Sequence, residues 1–185
     1  MLKNLRVSLV LLLICGIMYP LAMTGISQLI FPAKADGSVI EAKDGDVVGS
    51  DLIGQSFKDP KYFMSRVSSI EYNASGSGSG NYAPSNEDMI ERTKNDIKAF
   101  LESNPDVQKE DIPADLLTNS GSGLDPHISP MAAKIQVPRI ADVRDISEEQ
   151  LESLIIKNTE GRQYGILGEP RVNVLQLNME LDRLK

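Results

Sequence analysis

Residues Val7–Phe31 read VSLVLLLICGIMYPLAMTGISQLIF and contain no charged side chain over 25 positions. As an α-helix this run would extend over ~37 Å at ~1.5 Å per residue, which exceeds the ~30 Å hydrocarbon core of a bilayer. The run therefore predicts one transmembrane helix over residues 7–31. The remaining residues, 32–185, predict a single soluble domain, so the expected fold class is mixed α/β with one N-terminal span.

The span also carries signs of contact with other helices. Pro20 removes a backbone donor near the middle and should kink the helix, which leaves a carbonyl in need of a partner. Gly16, Thr24 and Gly25 are small residues of the kind that permits close helix packing. These four positions are the predicted membrane-packing residues, although small residues also occur in spans that act only as anchors.

The flanking charges predict the orientation of the span. Lys3 and Arg6 immediately precede it, and the positive-inside rule then places residues 1–6 in the cytoplasm. The domain 32–185 would be extracytoplasmic, on a single-pass protein of the inner or plasma membrane. The alternative is a cleaved signal peptide ending at Ala33-Lys34-Ala35, but signal cores usually have only about 7–15 apolar residues.

The charge and composition of the soluble part exclude several functions. Lys and Arg total 19 and Asp and Glu total 26, and the first 35 residues hold three of the bases and no acid, so residues 36–185 carry a net charge of −10. Such a domain repels nucleic acid and anionic lipid surfaces. The single cysteine, Cys15, excludes an internal disulfide, and one histidine with one cysteine excludes the usual zinc sites.

Capping signals and apolar spacing predict the helices of this domain. Ser85 is the expected N-cap of a helix that ends near Asn104, and Ser129-Pro130 should open a short helix to about Gln136 that Pro138 breaks or kinks. The apolar face is expected to continue through Ile140, Val143 and Ile146. Ser147 with Gln150 forms a capping box before another helix.

Strands are expected at both ends of the domain. Arg171–Val174 should be a strand that runs into a C-terminal helix with the stripe Val174, Leu177, Leu181 and Leu184. Residues 36–56 should be loops with one or two short strands.

Motifs that could carry catalysis are weak. Ser75–Gly80 alternates Ser and Gly and could cradle phosphate, but no Lys follows as a Walker A loop requires, so a flexible loop is expected. His127 lies close to Asp125 and Ser129, yet neighbours in one tight turn cannot converge on a reacting atom as a catalytic triad does. The interpretation is that this turn caps a helix and that none of these motifs is an enzyme signature.

Two longer stretches of sequence are specific enough to indicate a protein family. The first runs from Ser120 to Pro130 and continues through Ile135–Ile140 to Arg144, and the second runs from Gly168 to Asn178. Together with the span, they closely resemble the C subunit of the Kdp-type potassium-transporting ATPase, the KdpC family. Phe57, Tyr62-Phe63 and Arg66 resemble the aromatic-then-Arg segment of that family. The family-motif or partner-contact candidates are Gly123, Leu124, Asp125, Pro126, His127, Ser129, Pro130, Gln136, Arg139, Arg144, Gly168, Glu169, Pro170, Asn173 and Asn178.

The resemblance implies a non-catalytic accessory subunit of an ATP-driven potassium uptake complex. Its implied partners are a channel-like potassium-translocating subunit, a P-type ATP-hydrolysing subunit and a small membrane subunit, besides the lipid bilayer. The family is described as a catalytic chaperone that raises the affinity of the hydrolytic subunit for ATP. ATP is therefore implied as a cofactor only by the resemblance, and Asn119–Gly123 is only loosely similar to a transporter signature loop.

Two other functions remain open. The domain could be a stand-alone enzyme or ligand binder anchored at the outer face, which would need a concave site with convergent polar groups. It could also be a surface that concentrates cations through its charge of −10, an effect that salt screens.

Overall fold

In a computed structural model of the chain, residues 2–42 and 44–184 are described. The chain forms two compact units, residues 1–50 and 51–185. The mixed helix and sheet content confirms the predicted fold class, and the boundaries proposed for the membrane span and the soluble domain stay predictions.

The first unit contains one helix that runs without interruption from Leu2 to Ile30. It consists of α1 (Leu2–Leu13), a π-helical turn (Ile14–Met18) and α2 (Tyr19–Ile30). The π-turn directly precedes Pro20, and the Tyr19 N–H donates to the Ile14 carbonyl five residues back. A wider turn accommodates a residue that lacks an N–H and crowds the carbonyl four residues earlier, so the helix continues through the proline.

The helix ends before Pro32, where a short α3 (Pro32–Ala35) begins. An antiparallel hairpin follows, with β1 (Val39–Glu41) paired to β2 (Val47–Ser50). This confirms the expectation of one or two short strands in residues 36–56. The helix is long and apolar enough to cross a membrane, and none of residues 2–30 is buried against this chain.

The second unit combines helices with a three-stranded antiparallel sheet. Its helices are α4 (Glu87–Ser103), α5 (Ala114–Leu117), α6 (Pro130–Lys134), α7 (Val137–Arg144), α8 (Glu148–Lys157) and α9 (Val174–Leu181), with a 3₁₀ turn at Lys109–Asp111. The strands are β3 (His127–Ile128), β4 (Thr159–Glu160) and β5 (Arg171–Asn173), in the order β3-β5-β4. Helices α6 and α9 pack on β5, and α8 packs against both helices.

Most of the predicted helix boundaries are confirmed. Ser129 caps α6 through the Ala132 N–H, and Ser147 with Gln150 forms the capping box of α8. Helix α4 ends at the Asn104 C-cap as predicted, but its N-cap is Asn86, whose side chain accepts the Met89 N–H, and not Ser85. Asn86 lies one residue later and offers the same kind of side-chain acceptor as a serine, so the helix begins one residue after the expected position.

Two further expectations were wrong in detail. Helix α6 ends at Lys134, two residues earlier than expected. The expected interruption before Pro138 is present, but Pro138 also lies in the first turn of a new helix, α7, where its missing N–H costs no intrahelical bond. Val143 is exposed while Ile140 is fully buried, so the apolar face does not continue through Val143.

The core lies between the sheet and the C-terminal helices. Ile128 of β3, Val172 of β5 and Leu177 of α9 are nearly or completely buried, and so is Phe63 from an irregular segment far upstream. The predicted stripe of α9 is buried at Val174, Leu177 and Leu181, with Leu184 packed at its edge. A chain segment without helix or strand therefore supplies a central core residue.

Candidate functional site

The polar residues of both predicted motifs hold the irregular segment 60–64. The Phe63 N–H donates to Asn178 Oδ1 at 2.8 Å, and Asn178 Nδ2 donates to the Phe63 carbonyl at 3.0 Å. One residue on, the Met64 N–H donates to Gln136 Oε1 at 2.7 Å, and Gln136 Nε2 donates to the Met64 carbonyl at 3.3 Å. Each amide side chain thus makes the pair of hydrogen bonds that a neighbouring strand would make. We call these residues, with Arg139 and Arg144, the clamp.

Arg139 of α7 is the buried cation of the clamp. Its guanidinium donates to the carbonyls of Pro60 and Tyr62, to Asn104 Oδ1 at 2.8 Å and to Gln136 Oε1 at 2.9 Å. Burial lowers the pKa of Arg139 to about 10. No carboxylate of the described residues lies within ion-pair distance of it, so neutral oxygens alone balance this charge. An arginine in this setting orders a backbone segment, since its five donors reach several carbonyls at once.

Arg144, at the end of α7, closes the clamp at the surface. Its Nε donates to the Lys61 carbonyl at 2.8 Å, and its Nη2 lies 2.6 Å from Asp182 Oδ1. The guanidinium also lies over the Tyr62 ring at 4.9 Å, and the Tyr62 hydroxyl donates to Asp182 Oδ2 at 3.0 Å. The clamp therefore connects residues 60–64 with α7 and α9, which are distant in sequence.

The clamp places Arg66 beside the predicted turn at residues 123–130. Arg66 Nη1 lies 2.6 Å from Asp125 Oδ2, while Asp125 Oδ1 accepts the His127 N–H at 3.0 Å and lies 3.2 Å from His127 Nδ1. Burial alone would raise the pKa of the Asp125 carboxyl, but the hydrogen bonds from His127 and the adjacent Arg66 charge lower it to about 2. Asp125 is therefore ionised and joins the segment that contains Arg66 to the turn at residues 123–130.

Ser129 is hydrogen-bonded through its hydroxyl to Asp115 and to the start of α6. Its hydroxyl donates to Asp115 Oδ1 at 3.1 Å and accepts the Ala132 N–H at 3.0 Å, while its own N–H donates to Asp115 Oδ2 at 2.7 Å. Because the hydroxyl proton points to Asp115, His127 is not placed to activate Ser129 as a nucleophile. This geometry agrees with the interpretation of the turn as a helix cap.

The two Ser/Gly loops, which the sequence presents as separate, contact each other. The Gly78 N–H donates to the Ser122 carbonyl at 2.8 Å. Gly123 has φ +72°, and a Cβ there would lie 2.8 Å from Ile70 Cγ1 and 2.9 Å from the Gly78 carbonyl oxygen. A side chain at 123 would thus be strained and would also push the loops apart, which explains the glycine.

A polar recess of 360 Å³ opens beside this turn. Its walls include Arg66, Asp115, Asp125 and His127, together with Glu169, Pro170 and Arg171. The recess brings residues of the first motif next to those of the second. Among the described residues no group of three or more His, Cys, Asp and Glu side chains could hold a metal ion.

The predicted residues fall into three environments. Gln136, Arg139, Asn173 and Asn178 are buried, with Asn173 capping α9 through the Gln176 N–H and donating to the Asp51 carbonyl. The turn residues are buried or half-buried, namely Gly123, Leu124, Asp125, Pro126, His127, Ser129 and Pro130, and Arg144 is half-buried too. Gly168, Glu169 and Pro170 are exposed.

The predicted membrane-packing residues all lie on the long helix. Gly16 is inside the π-turn and is the residue four positions before Pro20, while Thr24 and Gly25 belong to α2. A Cβ at Gly16 or Gly25 would meet no atom of this chain within 4 Å apart from the nearby backbone of the helix itself. Both positions are open to whatever lies against the helix.

The sequence analysis did not predict three residues of the site. Asn104 and Asp182 complete the clamp, and Asp115 holds Ser129. Asn104 had a visible signal as the helix C-cap before a proline, but its partner Arg139 lies 35 positions away. No local spacing predicts such a pair.

The sequence matches a known family over residues 1–183, described as "KdpC: K+-transporting ATPase, c chain". Among curated proteins it is 52% identical over 180 residues to the potassium-transporting ATPase KdpC subunit of Bacillus cereus strain Q1, covering 97% of this chain and 93% of the relative. The protein of the same description from Caldanaerobacter subterraneus subsp. tengcongensis is 51% identical over 179 residues, covering 97% and 92%.

Proposed function

We propose, from the premise that this chain belongs to the KdpC family of K+-transporting ATPase c chains, that its span and outer domain stabilise the assembled complex and thereby raise the ATP affinity of the hydrolytic subunit. The membership itself makes the chain an accessory subunit in potassium uptake, with the hydrolytic site on another subunit. The observation that carries the proposal is the family match over residues 1–183, which includes both the long helix and the domain.

The partners proposed for the complex are the channel-like translocating subunit, the P-type hydrolytic subunit and the small membrane subunit. The long helix is proposed as a single span with residues 1–6 in the cytoplasm, which puts the domain 32–185 outside. Lys3 and Arg6 support this orientation.

An effect on ATP is proposed to act through the span and the partner subunits. ATP is hydrolysed in the cytoplasm by such complexes, whereas the proposed topology puts the domain on the other side. The loop at 119–123 also uses its polar groups internally. Asn119 Oδ1 accepts the Ser69 N–H at 2.6 Å, Ser120 Oγ accepts the Gly123 N–H at 2.9 Å, and Ser122 Oγ accepts the Leu124 N–H at 3.1 Å.

Helix packing by the span is proposed to provide part of the retention. A wider π-turn at Ile14–Met18 and open positions at Gly16 and Gly25 allow another helix to approach closely. Interhelical hydrogen bonds in membranes average only about 0.6 kcal/mol, so loss of the Thr24 hydroxyl should matter less than loss of close approach. Gly25→Leu is therefore expected to weaken retention more than Thr24→Val.

The test replaces residues 7–31 by an unrelated apolar span and measures both co-purification and the KM for ATP of the complex. We expect the exchanged subunit to be lost and the KM for ATP to rise toward that of a complex prepared without this chain. Gly25→Leu and Thr24→Val are the graded comparison. Full retention with an unchanged KM would show that the outer domain alone carries the association, and this role of the span would be wrong.

A further inference from the structure

The segment Glu160–Arg171, which we call the outer hairpin, is exposed at every residue. It leaves the sheet where Glu160 of β4 pairs with Arg171 of β5, and it returns through a bridge between Gln163 and Leu167. An isolated two-stranded hairpin is at best marginally stable in water. An element with no buried or half-buried residue is therefore expected to find further packing outside its own chain.

The tip of the outer hairpin is apolar. Tyr164 is 92% exposed, Ile166 is 74% exposed and Leu167 is 55% exposed. Soluble domains seldom present clustered large apolar side chains unless the cluster meets a partner or a membrane. Tyr164 is also the most exposed large hydrophobic residue among those described.

The tip has a fixed backbone shape. The Ile166 N–H donates to the Gln163 carbonyl at 3.2 Å, and the two central residues have positive φ, +53° at Tyr164 and +76° at Gly165. Positive φ at both central positions is what a type I′ hairpin turn requires. A tyrosine rarely adopts this conformation, and such strain is retained where the geometry of a site is used.

The charges of the outer hairpin cancel within it. Arg162 donates to both Glu169 carboxylate oxygens, at 2.8 and 2.6 Å, and Arg171 Nε donates to Glu160 Oε2 at 3.0 Å. The twelve residues are thus neutral on a soluble part that carries a net charge of −10. The outer hairpin offers no surplus base to an anionic lipid headgroup, and the rest of the domain is repelled by one.

These observations favour a protein surface over a lipid surface. A bilayer accepts any apolar tip and needs no fixed turn, whereas a recess in a protein selects shape. We propose that the outer hairpin docks by Tyr164, Ile166 and Leu167 into an uncharged apolar recess on another protein subunit of the transport complex. The inference rests on the proposed role as an accessory subunit and adds the surface through which the domain is held.

Photo-crosslinking tests the inference in the assembled complex. Benzoylphenylalanine replaces Tyr164 in the full chain, and the matched control replaces Tyr82, which is 46% exposed elsewhere in the same unit. We expect position 164 to yield an adduct with another protein subunit, several-fold more than position 82. Adducts with lipid alone, no adduct, or equal yields at both positions would overturn the inference.

A substitution pair provides the second measurement. Tyr164→Ser with Ile166→Ser should lower the subunit retained through a detergent wash at least tenfold, while Val143→Ser, at a 51% exposed position, should leave it unchanged. Wild-type retention by the double variant would contradict the docking role. If the unmodified chain does not co-purify at all, the accessory role itself fails. Co-purification without an adduct at position 164 overturns only the docking role of the outer hairpin.

Discussion

The clamp and the outer hairpin both depart, in opposite ways, from the usual distribution of exposed polar and buried apolar side chains. In the clamp, polar side chains such as Asn178 and Arg139 are buried and each finds its partners within the chain. In the outer hairpin, apolar side chains such as Tyr164 and Ile166 are exposed and find none that bury them. The comparison teaches that a sequence motif here need not be a contact surface, because much of it serves to order an irregular segment of the same chain.

The physical reason lies in the segment that the clamp holds. Phe63 is fully buried, yet residues 60–64 form neither helix nor strand, so their backbone groups have no ladder to join. A buried backbone group without a partner costs about 1–3 kcal/mol. Asn178 and Gln136 remove that cost by presenting one donor and one acceptor each.

The largest effect expected is on the clamp. Asn178→Leu should lower the free energy of unfolding by about 2–5 kcal/mol, because it orphans both the N–H and the carbonyl of Phe63. Its neighbour Leu177→Ala, a deletion in the apolar core, should cost about the same, about 2–5 kcal/mol. Denaturant titration of the full chain in micelles measures both. If Asn178→Leu is neutral while Leu177→Ala is not, the clamp does not stabilise the fold.

A medium effect on the free energy of unfolding is expected at Asp125, beside the clamp, as a function of pH. The folded-state pKa of Asp125 is about 2, below the ordinary value of about 3.9, so its stabilisation is complete above about pH 5 and is lost as the pH falls towards 2. The side chain is 30% exposed, which reduces the expected contribution to about 1–2 kcal/mol.

Unfolding free energies at pH 6 and pH 3 check this for wild type, Asp125→Asn and the control Asp106→Asn, whose side chain is exposed. Asp125→Asn should be less stable than wild type at pH 6 and should lose less on acidification. A pH dependence in Asp125→Asn that matches wild type would show that Asp125 does not link the Arg66 and His127 segments electrostatically.

The smallest effect on stability is expected in the outer hairpin. Tyr164→Ser should change the free energy of unfolding of the isolated full chain by less than about 0.5 kcal/mol, because surface positions without packing contribute little. The same denaturant titration measures it. A cost comparable with that of Asn178→Leu would mean that Tyr164 packs within the chain, and the contrast between the two regions would disappear.

Local signals predicted the secondary structure well where one residue type has one physical role. The Ser147 and Gln150 capping box, the Ser129-Pro130 helix start and the stripe of α9 are all present. Errors arose where neighbours could serve equally, as with Ser85 and Asn86, or where periodicity continued past the buried face, as with Val143. Pro138 predicts the interruption of a helix, but the first turn of a helix tolerates proline, so the same residue also lies at the start of α7.

The candidate site was less predictable. The sequence singled out Gln136, Arg139, Arg144 and Asn178, but nothing in their spacing pairs them with residues 60–64, which lie 72 to 115 positions away in the bonds described. The contact of the two Ser/Gly loops was missed for the same reason. Low-complexity composition predicts a flexible loop, and only the hydrogen bond of Gly78 with Ser122 shows that the loops support each other.

The sequence by itself determined the apolar helix, the acidic charge of the domain, the caps of its helices and the resemblance to its family. These depend on composition and on spacings of three or four residues, which the backbone geometry converts directly into structure. Only the tertiary structure decided which polar motif residues are buried, how Asp125 is held ionised, and that the outer hairpin stands unpacked. Those properties depend on contacts between distant segments, and burial and pairing in such contacts set the energy of every polar group involved.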